Sequence, residues 1–417
     1  MDVPKLRAVE PIPADQDRFY LRDPRRISDV VLLVSRPTLF IISLFDGEHS
    51  LLEVQEAFAR ATGEILPRQK VEEIIATLDE ALFLDNARFS SAQAEVVRRY
   101  HDSDVRQPIN AGLSYPAGEK ELAAYLGELF ARAENEALKA RSVADASDLD
   151  AIVVPHIDLA RGGEAYAAVY RRLAERSGAR RFVVLGICHH PTLHSFALTR
   201  KDYDTPLGRV RTDREFVDSL AAACHTDFLA DDIAHRDEHS IEFQMLFLRY
   251  LFGGHSELCA ARDISVVPVL CSSFQEYMRP GTSPRDSGEA AEFLGALGDL
   301  LAGGGGSCLV AAVDFAHLGR QFGQELTVTD EVVREAEADD RRMMERITDR
   351  DAEGFFRLIV SEGDRRNVCG VPALYSLLHL LGPGPSGRVA RYGQAVDRAG
   401  NSIVTFAGIE IPGAASV

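Results

Sequence analysis

The sequence predicts an α/β protein: a central mixed sheet flanked by helices, with a small α+β winged-helix-like domain in front of it. Three observations predict this. Four short apolar runs, AIVVP (151–155), RFVVLG (181–186), ISVVPVL (264–270) and CLVAAV (308–313), are each separated from the next by a helical stretch, the pattern of buried strands in a layered sheet. Two further strand candidates, 388–395 and 402–409, close the chain. The first hundred residues carry a different, shorter alternation of strand and helix signals.

In chain order, residues 1–19 read as a tail. The segment 30–45 is rich in Val, Leu, Ile and Phe and reads as strand, with Asp46-Gly47 as a turn. Ser50 followed by Glu53 is a capping box ahead of a helix with Leu51, Val54, Ala57 and Phe58 at helical spacing, and Gly63 ends it. A second helix runs from Pro67 to about Leu84, with Val71, Ile74, Ile75, Leu78 and Leu82 on one face. Residues 20–95 thus form the small domain, 96–112 a polar linker, and 113–417 the large α/β domain. The connections 279–289 and 303–307 read as polar or glycine-rich loops, and no repeat of solenoid period is present.

Composition excludes several classes. The chain of 417 residues has 64 acidic and 46 basic side chains and a formal charge of −18. That is a poor non-specific binder of nucleic acid or anionic membrane. The best apolar stretch, 30–45, is broken by Arg36 and Pro37 and is too short for the roughly 20 residues of a membrane span. The polar N-terminus reads as no secretory signal, and six scattered cysteines fit a reducing, cytoplasmic setting.

Metal-capable residues recur where the predicted strands end. His156 and Asp158 follow AIVVP, Cys188, His189 and His190 follow RFVVLG, and Asp314 and His317 follow CLVAAV. Ligands of open α/β sheets bind beyond these carboxyl ends. In DEHSIEF (237–243), His239 and Glu242 are three apart and share a helix face, either toward a site or toward solvent. Cys369 lies just before a predicted helix, 372–381, where a dipole lowers a thiol pKa. Imidazole and thiolate suit borderline ions such as iron(II), zinc or copper. Cys224, Cys259, Cys271 and Cys308 read as packing residues, and Cys188 stays open between the two roles.

From about residue 110 to 411 the chain resembles the Memo family, called AmmeMemoRadiSam system protein B in prokaryotes. The matching segments run in the family's order: AGLSYPAG (111–118), VVPHIDLARGG (153–163), VVLGICHH (183–190), LTRKDYDTPLGRVRTD (198–213), DEHSIEFQMLFL (237–248), VVPVL (266–270), VDFAHLG (313–319) and VCGVPAL (368–374). The resemblance implies a fold similar to the class III extradiol dioxygenases. It implies metal ligands at His156, His189 and Cys369, with His190, His239, Glu242, Asp314 and His317 as neighbouring catalytic-pocket residues. A thiolate where the dioxygenases use a carboxylate alters softness and potential, so ring opening does not transfer. Ile157-Asp158-Leu159 and Arg161 depart from the family's pattern, and Asp158 and Arg161 either form a charged pair at the pocket rim or reset substrate choice. Residues 20–95, through LFDGEHSLLEV (44–54), resemble the PqqD-like domains that hold peptides for radical-SAM maturases; a regulatory or dimerising winged helix is the competing reading.

The expected function is therefore a metal-dependent, Fe(II)-based redox protein, copper or zinc being the other candidates. It would act on a small molecule or peptide with a radical-SAM-type partner protein. In this reading His190 or His239 is the acid/base, Asp314 orients a histidine and His317 contacts substrate. The alternative is a non-catalytic metal- or peptide-binding scaffold or chaperone of that system. A zinc hydrolase with an activated water is a third reading.

Overall fold

The computed structural model describes residues 3–139, 148–279, 281–286, 288–304 and 306–413, with only the backbone for 134–139. Residues 1–2 of the expected tail, 280, 287 and 305 of the expected loops, and 140–147 and 414–417 of the expected large domain lie outside the described residues. The chain divides into two compact units, one up to Ser103 and one from Asp104.

The first unit holds strands β1 (Glu10–Pro13), β2 (Arg18–Arg22) and β3 (Leu32–Ser35) in an antiparallel sheet of order β1-β2-β3, then helices α1 (Arg36–Ser43), α2 (Leu51–Thr62), α3 (Arg68–Glu80) and α4 (Ala87–His101). Strand signal over 30–45 gives way halfway. Ser35 accepts from the Thr38 N–H and Pro37 sits in the first turn, so the apolar run continues as α1 and buries Ile41 and Ile42. The capping box of Ser50 and Glu53 forms, and Gly63, at φ +76°, closes α2. Residues before 20 are not a tail: Lys5 bridges Asp46, Leu6 bridges Leu84, and Leu6 and Val9 pack on the core of Phe45, Val54, Val71 and Phe83. These apolar residues are too sparse to show a period. The start of the expected linker is also helical. Asn86 caps α4 through the Phe89 N–H at 3.0 Å, and only Tyr100 of α4 is buried, which is why the segment reads as merely polar.

The second unit contains β4 (Val105–Arg106), α5 (Glu119–Lys139), β5 (Leu149–Val154), α6 (Leu159–Arg176), β6 (Arg181–Ile187), β7 (Phe196–Leu198), β8 (Asp202–Tyr203), β9 (Arg211–Thr212), α7 (Arg214–Ala223), α8 (Ser240–Phe252), β10 (Ser265–Cys271), α9 (Gly288–Ala302), β11 (Ser307–Ala312), β12 (His317–Gly319), α10 (Asp330–Thr348), α11 (Ala352–Ser361), α12 (Val371–Leu381), β13 (Arg388–Asp397) and β14 (Ser402–Pro412). The main sheet runs β12-β14-β5-β11-β6-β10-β7, with β13 added to β14 and β9 to β10. Its centre, β5-β11-β6-β10, is parallel, and antiparallel strands flank it. This is the mixed sheet the sequence predicts.

The apolar runs are continuous because both faces are covered. Alternate residues of β5 enter opposite cores: Ala151 and Val153 pack with residues of α7 and α9 to α12, Ile152 and Val154 with residues of α5, α6 and α8. On the second face Tyr166 and Tyr170 stack on Phe247, each with ring centroids 4.9 Å apart. Parallel β5, β6 and β11 all end on the same side of the sheet, which brings the segments after Val154, Ile187 and Ala312 together. No helix among the described residues is long and apolar enough to cross a membrane.

Candidate metal centre

His156 leaves β5 pinned to the end of β11. Its backbone N–H donates to Asp314 Oδ1 at 3.0 Å, and the next N–H, of Ile157, reaches the same oxygen at 3.1 Å. The ring Nδ1 lies 3.0 Å from the Ala312 carbonyl oxygen. A carbonyl only accepts, so Nδ1 carries the proton and Nε2 keeps its lone pair. Only 2% of this side chain is exposed. Burial, then repulsion from His189 and His239, drives its pKa well below the usual histidine value and keeps it neutral.

His189 follows β6, and His239 immediately precedes α8. Both are held by one carboxylate. Glu238 accepts from the backbone N–H groups of His189 (3.0 Å), His239 (2.8 Å) and Ser240 (3.0 Å). It also lies 3.0 Å from His189 Nδ1 and 3.2 Å from His239 Nδ1. Burial pushes the Glu238 carboxyl up, but His189 and His239 outweigh it and hold it well below the carboxylate range. For His189, burial pulls down, yet the Glu238 charge raises the pKa overall. The His156 ring stands nearly perpendicular to those of His189 and His239, at 83° and 80°, and the latter two are stacked 16° apart. Ring centroids of His156–His189, His156–His239 and His189–His239 are 5.0, 5.4 and 5.0 Å apart. One ligand atom from each of the three lies within 4.8 Å of the others.

Cys369 stands beside this trio, its Sγ 3.6 Å from His156 Nε2 and 3.5 Å from the Asp314 carbonyl oxygen. Sulfur at about 2.3 Å and nitrogen at about 2.0 Å from one tetrahedral ion are about 3.5 Å apart, so the Cys369–His156 separation suits a shared ion, while the group of ligand atoms within 4.8 Å of one another comprises the three histidines without Cys369. The expected lowering of its pKa is reversed. Helix α12 begins at Val371, close to the expected start, but desolvation, followed by the Asp314 charge, pushes the thiol well above its usual value.

Asp314 fixes the His156 backbone, as above, with Oδ2 3.5 Å from His156 Nε2; burial raises its pKa. His317 sits on β12 with Nδ1 3.2 Å from the Phe315 carbonyl, and burial lowers its pKa. It is not in the trio. His190 shares with His189 and Cys369 the wall of a cavity of about 570 Å³, completed by Phe274, Met278 and Pro372 among others. Asp158 caps α6 through the Arg161 N–H at 3.0 Å and pairs with the Arg161 guanidinium; neither residue lines the cavity beside His189.

Glu242 is placed elsewhere. Its carboxylate is consumed by the Arg106 guanidinium, the Tyr115 hydroxyl and the N–H groups of Asn110 (2.9 Å) and Ile109 (3.2 Å). This buried knot ties the segment after β4 to α8, and the carboxylate expected in the catalytic pocket is instead engaged on both oxygens here. Arg106 also donates to the Glu238 carbonyl oxygen at 2.7 Å, so the knot abuts the histidine clamp.

Sequence reasoning passed over Glu238 and Arg106. The three-apart rule paired His239 with Glu242, but α8 starts at Ser240, so helical faces do not govern residues 238 and 239. Arg106 lay in the expected linker. The seat of α8 is tight. Ser240 Oγ bonds the Ile187 N–H (3.1 Å) and carbonyl (2.9 Å), and a Cβ on Gly186 would meet Ile241 Cγ1 at 2.5 Å and Ser240 Oγ at 2.7 Å. Gly186→Ala is expected to cost roughly 1–3 kcal/mol by overpacking, seen as a lower thermal midpoint; an unchanged midpoint would show that α8 yields freely.

The sequence model of one family, described as Memo-like protein, matches residues 106–410. The chain belongs to the Memo-like family. It is similar to the MEMO1 family protein of Aquifex aeolicus, 28% identical over 378 residues that cover 91% of each chain. It is also similar to the Thermus thermophilus MEMO1 family protein TTHA0924, 27% identical over 80% of this chain and 90% of that one. A third, MK0963 of Methanopyrus kandleri, is 29% identical over 73% and 98%. The Memo-like match contains every residue of the histidine trio, the Glu238 clamp and Cys369. The Aquifex match, by its coverage, extends into the N-terminal unit as well.

Proposed function

We propose that this Memo-like protein is a metal-binding redox protein in which His156, His189 and His239 hold Fe(II), with the Cys369 sulfur as a soft fourth donor. The observation that carries the reading is the occupation of all three Nδ1 atoms by a carbonyl or by Glu238, which leaves each Nε2 available to an ion, in three residues whose ligand atoms gather within 4.8 Å. Metal-binding histidines are oriented in this way, whereas buried histidines of a core have no reason to face one another. Iron held there would supply one-electron chemistry with O₂ or a bound substrate. The chain's own part is to fix the tautomers through Glu238 and Ala312, to keep His156 neutral by burial, and to admit substrate through the cavity beside His189 and Cys369. His190, on that wall, is the acid/base of this reading. The cavity's size suits a small molecule or the side chains of a peptide.

The second reading is a metal- or peptide-binding scaffold serving a radical-SAM-type partner. What favours it is the separate N-terminal α+β unit, which lies outside the residues matched by the Memo-like model.

Metal analysis of anaerobically purified protein tests both. About one iron per chain is expected, lost in His156→Ala and weakened in Cys369→Ala. About one zinc instead would turn the reading to hydrolysis. Wild-type protein that purifies and reconstitutes without metal would overturn the proposal and leave the peptide scaffold.

A further inference from the structure

At the opposite end of the parallel strands lies a second cavity, of about 700 Å³. It forms around β9 and the entry to β10, where Arg211 pairs with Ser265, the first residue of β10. The histidine trio sits beyond the other ends of these strands, so the two cavities are separate. Five arginines line the second one: Arg209, Arg211, Arg214, Arg249 and Arg262. Three aspartates, Asp202, Asp204 and Asp263, share the wall. The lining is thus net positive on a chain whose formal charge is −18.

The guanidiniums are poorly neutralised. Arg209 approaches Asp204 only to 3.9 Å, and Arg214 approaches Asp104 and Asp202 only to 3.8 and 3.9 Å. Asp202 is already engaged, accepting from the Thr212 N–H at 2.9 Å. Arg211 makes no ion pair among the described residues. Arg262 is fixed rather than free. Its plane lies 4.1 Å over the Phe252 ring and one terminal nitrogen donates to the Ser177 carbonyl at 2.7 Å, yet its buried Nε has no partner. A buried unsatisfied guanidinium N–H is costly and rare. Arg249, tied to the Leu207 carbonyl at 3.0 Å, is likewise oriented by backbone.

We propose that this cavity binds a phosphorylated small molecule of nucleotide size. Several forked guanidiniums on one concave wall match the oxygens of a phosphate chain bidentately, which lysines would not do. The volume exceeds what a single inorganic ion fills. Neither the metal nor the trio takes part, so this site stands or falls apart from the metal-centre reading.

Titration calorimetry of the full chain with ATP and with pyrophosphate, at fixed moderate salt, tests it. Saturable one-to-one binding is expected for the wild type. The Arg209→Glu/Arg211→Glu variant changes two residues outside the core and should fold with an unaltered thermal midpoint, but bind roughly tenfold or more weakly. His156→Ala, stripped of metal, should bind as the wild type does. No saturable binding of either probe would overturn the proposal. So would binding unchanged in the double variant, binding lost in His156→Ala, or succinate bound as tightly as pyrophosphate.

Discussion

Glu242→Gln is expected to destabilise the larger unit by about 3–5 kcal/mol, the cost of leaving a buried charge without its partner. Arg106 and Glu242 are each 1% exposed, and the carboxylate also accepts from Tyr115, Asn110 and Ile109. Glutamine keeps the shape but removes the charge, and its amide nitrogen presents donors where only acceptors serve. Burial alone would raise the Glu242 pKa; Arg106 foremost, with Tyr115 and Asn110, outweighs burial and holds it below the ordinary value. A carboxyl with a depressed folded pKa lends stability that is complete above the unfolded carboxylate range and is lost as pH falls through the folded value. Denaturant unfolding of wild type should therefore weaken in acid, and the variant, already weak at neutral pH, should show a shallower acid dependence. Equal stability of the two at neutral pH would remove the knot from the account of this fold.

Glu238→Gln is expected to lower metal affinity by about 10–100-fold while the fold persists, the usual effect of removing a group that orients ligands. One carboxylate here serves two imidazoles and three backbone N–H groups, so a neutral amide leaves donors unmatched around both His189 and His239. Competition against a chelator of known affinity measures the change. The control is His190→Ala, on the cavity wall outside the trio, which should retain metal. If Glu238→Gln binds as tightly as wild type, the carboxylate serves only the backbone.

Much of this architecture is legible in the residues. The apolar runs at 151–155, 181–186, 264–270 and 308–313 lie in strands β5, β6, β10 and β11, because strands buried on both faces cannot alternate. The strand-end histidines His156 and His189 converge for the reason that parallel strands share a carboxyl end. What escaped notice has a physical cause in each case. At 30–45, propensity favoured strand, but the Ser35 cap and Pro37 started a helix. In α4, exposure on most sides erased the hydrophobic period. In DEHSIEF, the position of the helix start decided which residues meet, and spacing alone carries no information about that start. At Cys369 the helix dipole is a short-range, partly solvated effect, while desolvation acts on the whole group and prevails.

The manner in which His156 is held sets an order of events during folding. Its Nδ1 proton rests on Ala312 and its backbone on Asp314, both at the far end of β11, while its two companions are gathered by Glu238 at the start of α8. No local segment contains the chelate. An ion therefore has nothing to grip in the nascent chain until β11 has docked beside β5 and α8 has seated on β6. On the proposed reading, loading would follow assembly, and unlike a zinc finger the metal-free protein should remain folded.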